Sequence, residues 1–327
     1  MRDPYALSRS DLEAAADLVH AQMPPTPAYV WPLLGERSGA EVWVKHENHT
    51  PTGAFKIRGG IVYIDELAKC GAGANGVITA TRGNHGQSIA RAAKASGLAS
   101  TILVPHGNSV EKNAAMRAFG ARLIEHGKDF DEAKDEAARL ASVEGLHMVP
   151  SYHPALVKGV ATYALELFAA AGPLDAVYVP IGMGSGISGL IAARDALGLS
   201  TEIVGVVADA APAVALSFEA GRVVATNSAA TFADGMACRE PHPDAIAVIA
   251  RGAAEIVRVS EDEIAEAIRL LYETTHNVAE GAGAAATAAM LKDRRRQAGA
   301  RLGVILSGGN VDRPVLAQVL AGETPIV

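Results

Sequence analysis

The sequence predicts an α/β fold in which parallel β-strands alternate with α-helices. Two observations lead to this prediction. Short runs of apolar, often β-branched residues alternate along the chain with longer, alanine-rich runs. Glycine-rich turns follow several of the apolar runs, at the places where a strand would pass into a helix. Strands that are apolar throughout are typical of parallel sheets covered by helices on both faces.

The individual elements follow from the same periodicity. The apolar runs predict strands at residues 41–45, 76–80, 101–104, 121–124, 176–179, 203–207 and 303–306. The alanine-rich runs predict helices at residues 87–95, 111–119, 130–142, 187–196 and 261–275. Ser260 precedes the last of these helices, where its hydroxyl can accept a hydrogen bond from the first turn.

Composition and charge limit the classes of function. A chain of 327 residues predicts about two domains, and 49% apolar with 20% charged residues is ordinary for a globular protein. The 29 Lys and Arg against 36 Asp and Glu give a net charge of −7. Such a chain lacks the positive field that collects phosphate backbone, so we expect no nucleic-acid partner. The basic residues 292–296 are interrupted by Asp293, which favours a solvated helix face.

The sequence also predicts a cytoplasmic protein without a membrane partner. Cys70 and Cys238 lie far apart and form no CxxC motif, which fits a reducing compartment. The N-terminal residues carry charges and no apolar signal region. The uncharged residues 177–193 are interrupted by Pro180 and several glycines, so this stretch is too short and too broken for a membrane span.

Three turns at predicted strand ends indicate a ligand site. They lie at residues 81–86, 182–189 and 307–310, and a fourth glycine-containing segment lies at residues 53–59. Ligands of open α/β sheets bind at the carboxyl ends of the strands. We therefore expect these turns to meet around one ligand.

The turn at residues 182–189 has two functional interpretations. Gly184, Gly186 and Gly189 satisfy the GxGxxG pattern, and Asp209 follows Gly184 by 209 − 184 = 25 residues, near the acidic position of a dinucleotide site. The same glycines would let the backbone approach any phosphate at a helix N-terminus. A third interpretation is that the glycines only allow close packing of strand and helix.

Lys56 is the candidate reactive residue. It lies between Gly53 and Gly59 and follows Phe55. A lysine whose pKa is lowered by its surroundings becomes a nucleophile and base, and it forms a Schiff base with an aldehyde. A lone lysine is more often a solvated charge, so the assignment depends on the neighbouring motifs.

Those motifs resemble a known family. They are Lys45-His46-Glu47-Asn48, residues 52–59, Gly83-Asn84-His85-Gly86-Gln87, Asp234-Gly235, Glu280-Gly281-Ala282-Gly283 and Ser307-Gly308-Gly309-Asn310. In this order they resemble the pyridoxal-phosphate-dependent serine/threonine dehydratases of fold type II, which are tryptophan synthase β-like. Serine racemases and threo-3-hydroxyaspartate dehydratases belong to the same group. A nicotinamide-dependent dehydrogenase and a non-catalytic ligand-binding relative are the alternatives.

The resemblance implies an architecture. It implies two open, twisted parallel-sheet domains with pyridoxal 5'-phosphate between them. Residues 1–72 and 150–327 would form the large cofactor-binding domain, and residues 73–149 a small mobile domain. A homodimer is implied by the resemblance alone.

The resemblance also implies cofactor-binding residues. Lys56 resembles the Schiff-base lysine, Phe55 would pack near the ring, and Asn84 would hydrogen-bond the ring hydroxyl. The residues that resemble the phosphate cradle are Gly182, Met183, Gly184, Ser185 and Gly186; family members often have four successive glycines there. Ser307 would face the pyridine nitrogen with Gly308 beside it, and Glu280 occupies an acidic position near the ring.

The turn before the predicted helix at residues 87–95 resembles the loop that holds the substrate carboxylate in this family. The residues concerned are Thr81, Arg82, Gly83, Asn84 and His85. Arg82 stands where serine racemases carry a serine base, and arginine stays protonated, so we expect little or no racemase activity. Arg82 could instead pair with a second carboxylate of the substrate.

These roles predict a lyase. A neutral Ser307 hydroxyl does not force the pyridine nitrogen to stay protonated, as a carboxylate would. The ring is then a weaker electron sink, which favours loss of a β leaving group over transamination. The expected reaction converts L-threonine, and L-serine, to a 2-oxo acid and ammonia, with threo-3-hydroxyaspartate as the alternative substrate.

We expect no divalent metal. Val207 and Ala213 occupy the positions at which animal and yeast-type members carry a glutamate and an aspartate as ligands. Neither side chain can ligate a hard cation.

Overall fold

The fold is built on two β-sheets. The computed structural model describes residues 3–296 and 299–326. The larger sheet has six strands, in the spatial order β1 (Ala28–Val30), β2 (Glu41–His46), β10 (Arg301–Leu306), β7 (Ala176–Pro180), β8 (Glu202–Ala208) and β9 (Glu255–Val259). The neighbouring strands are parallel except for the edge strand β1, which runs antiparallel to β2.

The smaller sheet has four parallel strands. Their spatial order is β5 (Arg122–Glu125), β4 (Ser100–Val104), β3 (Val77–Ala80) and β6 (His147–Met148). Because all four strands are parallel, their carboxyl ends lie on one edge of the sheet.

The helices in chain order are α1 (Arg9–His20), α2 (Pro32–Ser38), α3 (Lys56–Lys69), α4 (Asn84–Ala95), α5 (Val110–Ala118), α6 (Phe130–Glu144), α7 (Pro154–Ala171), α8 (Ser185–Ala196), α9 (Ala213–Ala220), α10 (Pro243–Gly252), α11 (Glu261–Thr275), α12 (Gly281–Lys292) and α13 (Arg313–Leu320). Every strand and helix predicted from periodicity is present, with ends shifted by three residues at most. Ser260 caps α11 as predicted, accepting a hydrogen bond from the Glu263 amide at 3.1 Å.

Helices cover both faces of the six-stranded sheet, as the apolar strands predicted. On one face, Tyr178 and Val204 pack in a fully buried cluster with Ile268 of α11. On the other face, Val177 and Val207 pack in a second buried cluster with Leu190 of α8. Alternate residues of one strand therefore serve two cores.

The helix α3 connects the region of the six-stranded sheet to the smaller sheet. Its residues Ile57, Ile61 and Ile64 share a buried cluster with Val77 of β3 and Ile102 of β4. The four strands of the smaller sheet all fall within residues 73–149, whereas α3 precedes that range. The division into a large domain and a small mobile domain stays a prediction.

Among the described residues, α7 is the one helix long and apolar enough to cross a membrane. It has 18 residues and a mean hydropathy of 1.2, but 67% of this window is buried inside the protein. It packs against α3 on one side and α8 on the other. This burial is what we expect of a core helix.

Candidate active site

The predicted turns meet around one cleft of about 570 Å³. Residues from both sheets line it. The lining includes all of the predicted site residues except Gly308: Phe55, Lys56, Thr81, Arg82, Gly83, Asn84, His85, Gly182, Met183, Gly184, Ser185, Gly186, Glu280 and Ser307. Gly308 supports Glu280 from behind, since its carbonyl oxygen accepts a 3.1 Å hydrogen bond from the Glu280 amide.

Lys56 is the first residue of α3, and its amine faces the start of α8. The Phe55 amide donates a 3.0 Å hydrogen bond to the Ser307 carbonyl, which ties the turn before α3 to the end of β10. The Lys56 Nζ atom donates to Ser185 Oγ at 3.0 Å and lies 4.7 Å from the centre of the Phe55 ring. Burial lowers the pKa of Lys56 to about 8, although the Glu280 carboxylate opposes the shift. The amine is thus available as a nucleophile and base near neutral pH.

The loop between β7 and α8 forms an anion cradle. The backbone N–H groups of residues 182–187 have no acceptor in the described parts of the chain. Gly184 caps α8 with a φ of +101°, and a Cβ atom there would lie 2.8 Å from the Ala245 methyl carbon. A Cβ atom on Gly182 would lie 2.2 Å from the Gly235 carbonyl oxygen. The glycines are therefore required for a loop whose free donors can hold a phosphate.

The turn between β3 and α4 offers a second set of free donors. Thr81 Oγ1 accepts hydrogen bonds from the amides of Gly83 at 2.9 Å and Gly86 at 3.2 Å. The amides of Asn84 and His85, the first two residues of α4, have no acceptor among residues 3–296 and 299–326. Two free N–H groups at a helix N-terminus suit a carboxylate.

His85 contributes a neutral ring to the cleft. Its Nε2 atom is buried and has no hydrogen-bond partner among the described residues. Burial, with help from the nearby Lys56 charge, lowers the pKa of His85 to about 3. With this pKa the ring is neutral at physiological pH, so it brings no positive charge to the cleft.

Glu280 and Asn84 link the two sides of the cleft. Glu280 is the residue just before α12 and is 3% exposed. Asn84 Nδ2 donates to Glu280 Oε1 at 2.6 Å, and Asn84 Oδ1 accepts from Asn310 Nδ2 at 2.8 Å. These two contacts fix the orientation of the Asn84 amide. Burial raises the pKa of Glu280, and the Lys112 ammonium opposes that shift.

Sequence reasoning did not identify Lys112 as part of this site. Its Nζ atom lies 2.6 Å from Asp234 Oδ2 and 3.2 Å from Glu280 Oε2. Lys112 is one charged residue in the first turn of a predicted helix, and no local signal distinguishes it from a solvated lysine. Only the docking of α5 across the cleft buries it.

Cys238 also lines the cleft and is buried. Its thiol donates to the Met183 sulfur at 3.7 Å. Burial raises the pKa of Cys238 to about 12, so the thiol is not a nucleophile at neutral pH.

Arg82 is an exposed cation in the lining of the cleft. No carboxylate of the described residues lies within ion-pair distance of it, unlike Lys112, which has two such partners. Its guanidinium is therefore available to an anionic group of a ligand.

Val207 lies in β8 and Ala213 begins α9. Within the described residues, no group of three or more His, Cys, Asp or Glu side chains could hold a metal ion. The absence of a divalent metal stays a prediction.

Comparison with known proteins decides between the interpretations of the glycine loop. A family model described as pyridoxal-phosphate dependent enzyme matches residues 20–308. The chain belongs to this family. It is 34% identical over 292 residues to the L-threonine ammonia-lyase of Thermotoga maritima, covering 88% of this chain and 72% of that protein. It is 32% identical over 314 residues to the L-threo-3-hydroxyaspartate ammonia-lyase of Saccharomyces cerevisiae, covering 96% of both.

Solved structures of this family share the fold. The processed form of threonine deaminase isoform 2 from Solanum lycopersicum superposes with a TM-score of 0.88 at 29% identity, covering 98% of this chain and 96% of that one. The fold is therefore that of the fold type II pyridoxal-phosphate enzymes, as the motifs indicated. The chain is a lyase whose cofactor is pyridoxal phosphate.

The residues of the cleft fit that cofactor. The amine of Lys56 can bind an aldehyde, and the free N–H groups of residues 182–187 can hold a phosphate. The Phe55 ring lines the same cleft. When bound, pyridoxal phosphate supplies an electron sink for the negative charge that develops at the α-carbon of an amino acid. The protein supplies the binding, the orientation and the proton-transfer groups.

Proposed function

We propose that this family member eliminates water from L-threonine and L-serine and releases a 2-oxo acid and ammonia. The observation that carries the proposal is the meeting of three groups in one cleft: the Lys56 amine, the anion cradle before α8 and the neutral hydroxyl of Ser307. The relatives named as ammonia-lyases support elimination from hydroxy amino acids as the class of reaction.

Each group has a defined task in this proposal. The amides of Asn84 and His85 would orient the substrate carboxylate at the N-terminus of α4. Lys56, once released, would take the α-proton, because its lowered pKa leaves part of the population unprotonated near neutral pH. Ser307 would leave the pyridine nitrogen without a carboxylate partner, which favours prompt loss of the β-hydroxyl.

Arg82 favours a second candidate substrate, threo-3-hydroxyaspartate. An unpaired guanidinium at the edge of the carboxylate loop can form a bidentate pair with a β-carboxylate. The yeast relative that is named for this substrate supports the same alternative. L-threonine presents a methyl group at that position and gives Arg82 no partner.

The deciding experiment measures 2-oxo acid and ammonia from L-threonine, L-serine and the 3-hydroxyaspartate isomers in parallel. Preference for L-threonine supports the main proposal. Preference for a hydroxyaspartate that falls about tenfold or more in Arg82→Met, and much less in Arg82→Lys, supports the alternative. Arg117→Met, which changes an exposed arginine outside the cleft, is the matched control.

The same assay tests for racemisation. Arginine cannot serve as the base on the second face of the cofactor, so we expect no rapid formation of D-serine from L-serine. Rapid D-serine formation by the unmodified protein would contradict this assignment.

A homodimer in the cytoplasm is the assembly and location that we propose. The dimer is implied by the resemblance, and the location by the two separate cysteines and the charged N-terminal residues. Light scattering in solution and cell fractionation test the two points separately.

A further inference from the structure

The first turn of α5 spans the cleft and contacts the opposite side at two levels. At the outer level, Asp312 accepts hydrogen bonds from Ser109 Oγ at 2.5 Å and from the amides of Val110 at 3.2 Å and Glu111 at 3.3 Å. In return, Glu111 accepts a 2.9 Å hydrogen bond from the Arg313 amide. The starts of α5 and α13 thus cap each other.

At the inner level the contact is made by Lys112, which is 5% exposed. Its aliphatic stem packs against the backbone of Gly83, where an added Cβ would lie 2.3 Å from Lys112 Cδ. Its ammonium bridges Asp234 and Glu280. Burial opposes the charge of Lys112, but the two carboxylates outweigh it and raise the pKa of the ammonium.

Lys112 is connected to the reacting groups through Glu280. Glu280 Oε1 holds the Asn84 amide at 2.6 Å, and the Glu280 charge acts on the Lys56 amine. The charged groups that face Glu280 are Lys112 from α5, Asp234 from the turn before Cys238, and Lys56 from α3. Without Lys112, the buried Glu280 carboxylate would lose its ion-pair partner and would still face the carboxylate of Asp234.

We propose that Lys112 is a positioning residue for the reaction: it favours the ionised form of Glu280 and holds that carboxylate against Asn84 while it docks α5 across the cleft. Glu280 is buried and lies beside the partly exposed carboxylate of Asp234, so loss of the cation between them favours a proton on Glu280. The charge beside Lys56 then disappears, and Asn84 loses a charged acceptor. The inference rests on the cofactor chemistry of the family and not on the choice of amino-acid substrate.

The test compares three variants of the holoenzyme. Lys112→Met removes the charge and keeps the length of the side chain, Lys112→Arg keeps the charge, and Asp312→Asn loosens the same turn without contact to Glu280. The readouts are the pH dependence of kcat/KM and the pH dependence of the visible absorption band of the cofactor. The second readout needs no turnover, so it is independent of the proposed substrate.

We expect Lys112→Met to move the acid limb of kcat/KM to higher pH by about one unit or more, because Glu280 is protonated more easily without its cation. The absorption band should change over the same pH range. Lys112→Arg should restore the unmodified pH profile. Asp312→Asn should raise KM and leave both pH profiles unchanged.

A Lys112→Met holoenzyme with the pH profiles of the unmodified protein would overturn the inference, whatever its activity. The same applies if Asp312→Asn shifts the profiles as far as Lys112→Met does. If Lys112→Met alone is too unstable to purify, Glu280→Gln provides a background in which its effect can be measured, because the carboxylate left without a cation is then absent. Adding Lys112→Met to Glu280→Gln should then leave the pH profiles of Glu280→Gln unchanged, and a further shift of those profiles would contradict a shared role.

Discussion

The Lys56 ammonium lies 3.0 Å from the Ser185 hydroxyl and donates a hydrogen bond to it. Lys56 begins α3 and Ser185 begins α8, so this contact joins two helices that start at the same cleft. Family members often have a glycine at the position of Ser185, and here the hydroxyl gives the amine a partner. The hydroxyl proton of Ser185 remains free to donate to an anion in the cradle.

Replacing Lys56 by methionine should abolish elimination and stabilise the cofactor-free protein. We expect kcat/KM to fall by about 10²–10⁴-fold or more, because the base and nucleophile are lost. A buried charge is removed at the same time, so the free energy of unfolding at neutral pH should rise by roughly 1–3 kcal/mol. Enzyme assay and urea denaturation measure the two effects, with the exposed Lys69→Met as the control.

The same residue predicts a pH dependence of stability. The pKa of Lys56 falls from 10.5 to about 8 in the folded, cofactor-free chain. Between these two values the unfolded chain binds more protons, so the free energy of unfolding contributed by Lys56 rises with pH over this window. Lys56→Met should lack that rise. An identical pH dependence in both proteins would show that the amine is not buried as described.

Replacing Gly184 by alanine should damage the cradle beyond the ordinary effect of such a change. Gly184 and Gly198 both have a positive φ, +101° and +65°, but an added Cβ contacts Ala245 at Gly184 and nothing within 4 Å at Gly198. We expect Gly184→Ala to lose about 1–2 kcal/mol more stability than Gly198→Ala, because the new methyl group also clashes. Its affinity for pyridoxal phosphate, measured by fluorescence titration, should fall about tenfold or more, whereas Gly198→Ala should bind normally.

Replacing Arg58 by methionine should destabilise the fold. Arg58 is fully buried and donates to Glu47 Oε2 at 2.7 Å and to Glu166 Oε1 at 2.6 Å. Its loss leaves Glu47 with Lys45, and Glu166 with Lys45 and the His20 ring, as the remaining partners, which should cost about 3–5 kcal/mol in the free energy of unfolding. The exposed pair of Arg9 and Glu13 provides the control, since Arg9→Met should change stability by less than about 0.5 kcal/mol.

The Arg58 network also predicts the acid limit of stability. Although burial opposes it, Arg58 lowers the pKa of Glu166 from 4.5 to about 2. The contribution of Glu166 to stability is therefore complete above pH 4.5 and is lost as the pH falls towards about 2. Arg58→Met should move the midpoint of acid unfolding to higher pH. An unchanged midpoint would mean that Lys45 and His20 keep Glu166 ionised without Arg58.

Replacing Ser307 by aspartate should change the outcome of the reaction. A carboxylate beside the pyridine nitrogen would hold that nitrogen protonated and strengthen the electron sink, which favours transamination. We expect less ammonia and more conversion of the cofactor to its amine form, followed by absorption spectroscopy. Ser307→Ala keeps the position neutral and should retain elimination; equal reaction outcomes in both variants would argue against this role of Ser307.

Much of the fold was predictable from the sequence because its signals are local. The strands that are buried on both faces, such as β7 and β8, are continuous apolar runs, and the turns after β3, β7 and β10 carry the required glycines. The strands that were not predicted are β1, β6 and β9. β1 and β6 are only three and two residues long, and β9 is partly exposed along most of its length, so the apolar signal of each is weak.

The sequence by itself determined the strands, the glycine turns and the identity of Lys56 and Ser307 as candidates, because backbone sterics and burial periodicity act over a few residues. The tertiary structure decided which charges are paired. Arg58 forms ion pairs with Glu47 and with Glu166, which follows it by 166 − 58 = 108 residues. Lys112 forms an ion pair with Glu280, which follows it by 280 − 112 = 168 residues. Such pairs form only when packed helices bring distant residues together and exclude water, and a lysine that stays solvated has the same local sequence as one that is buried.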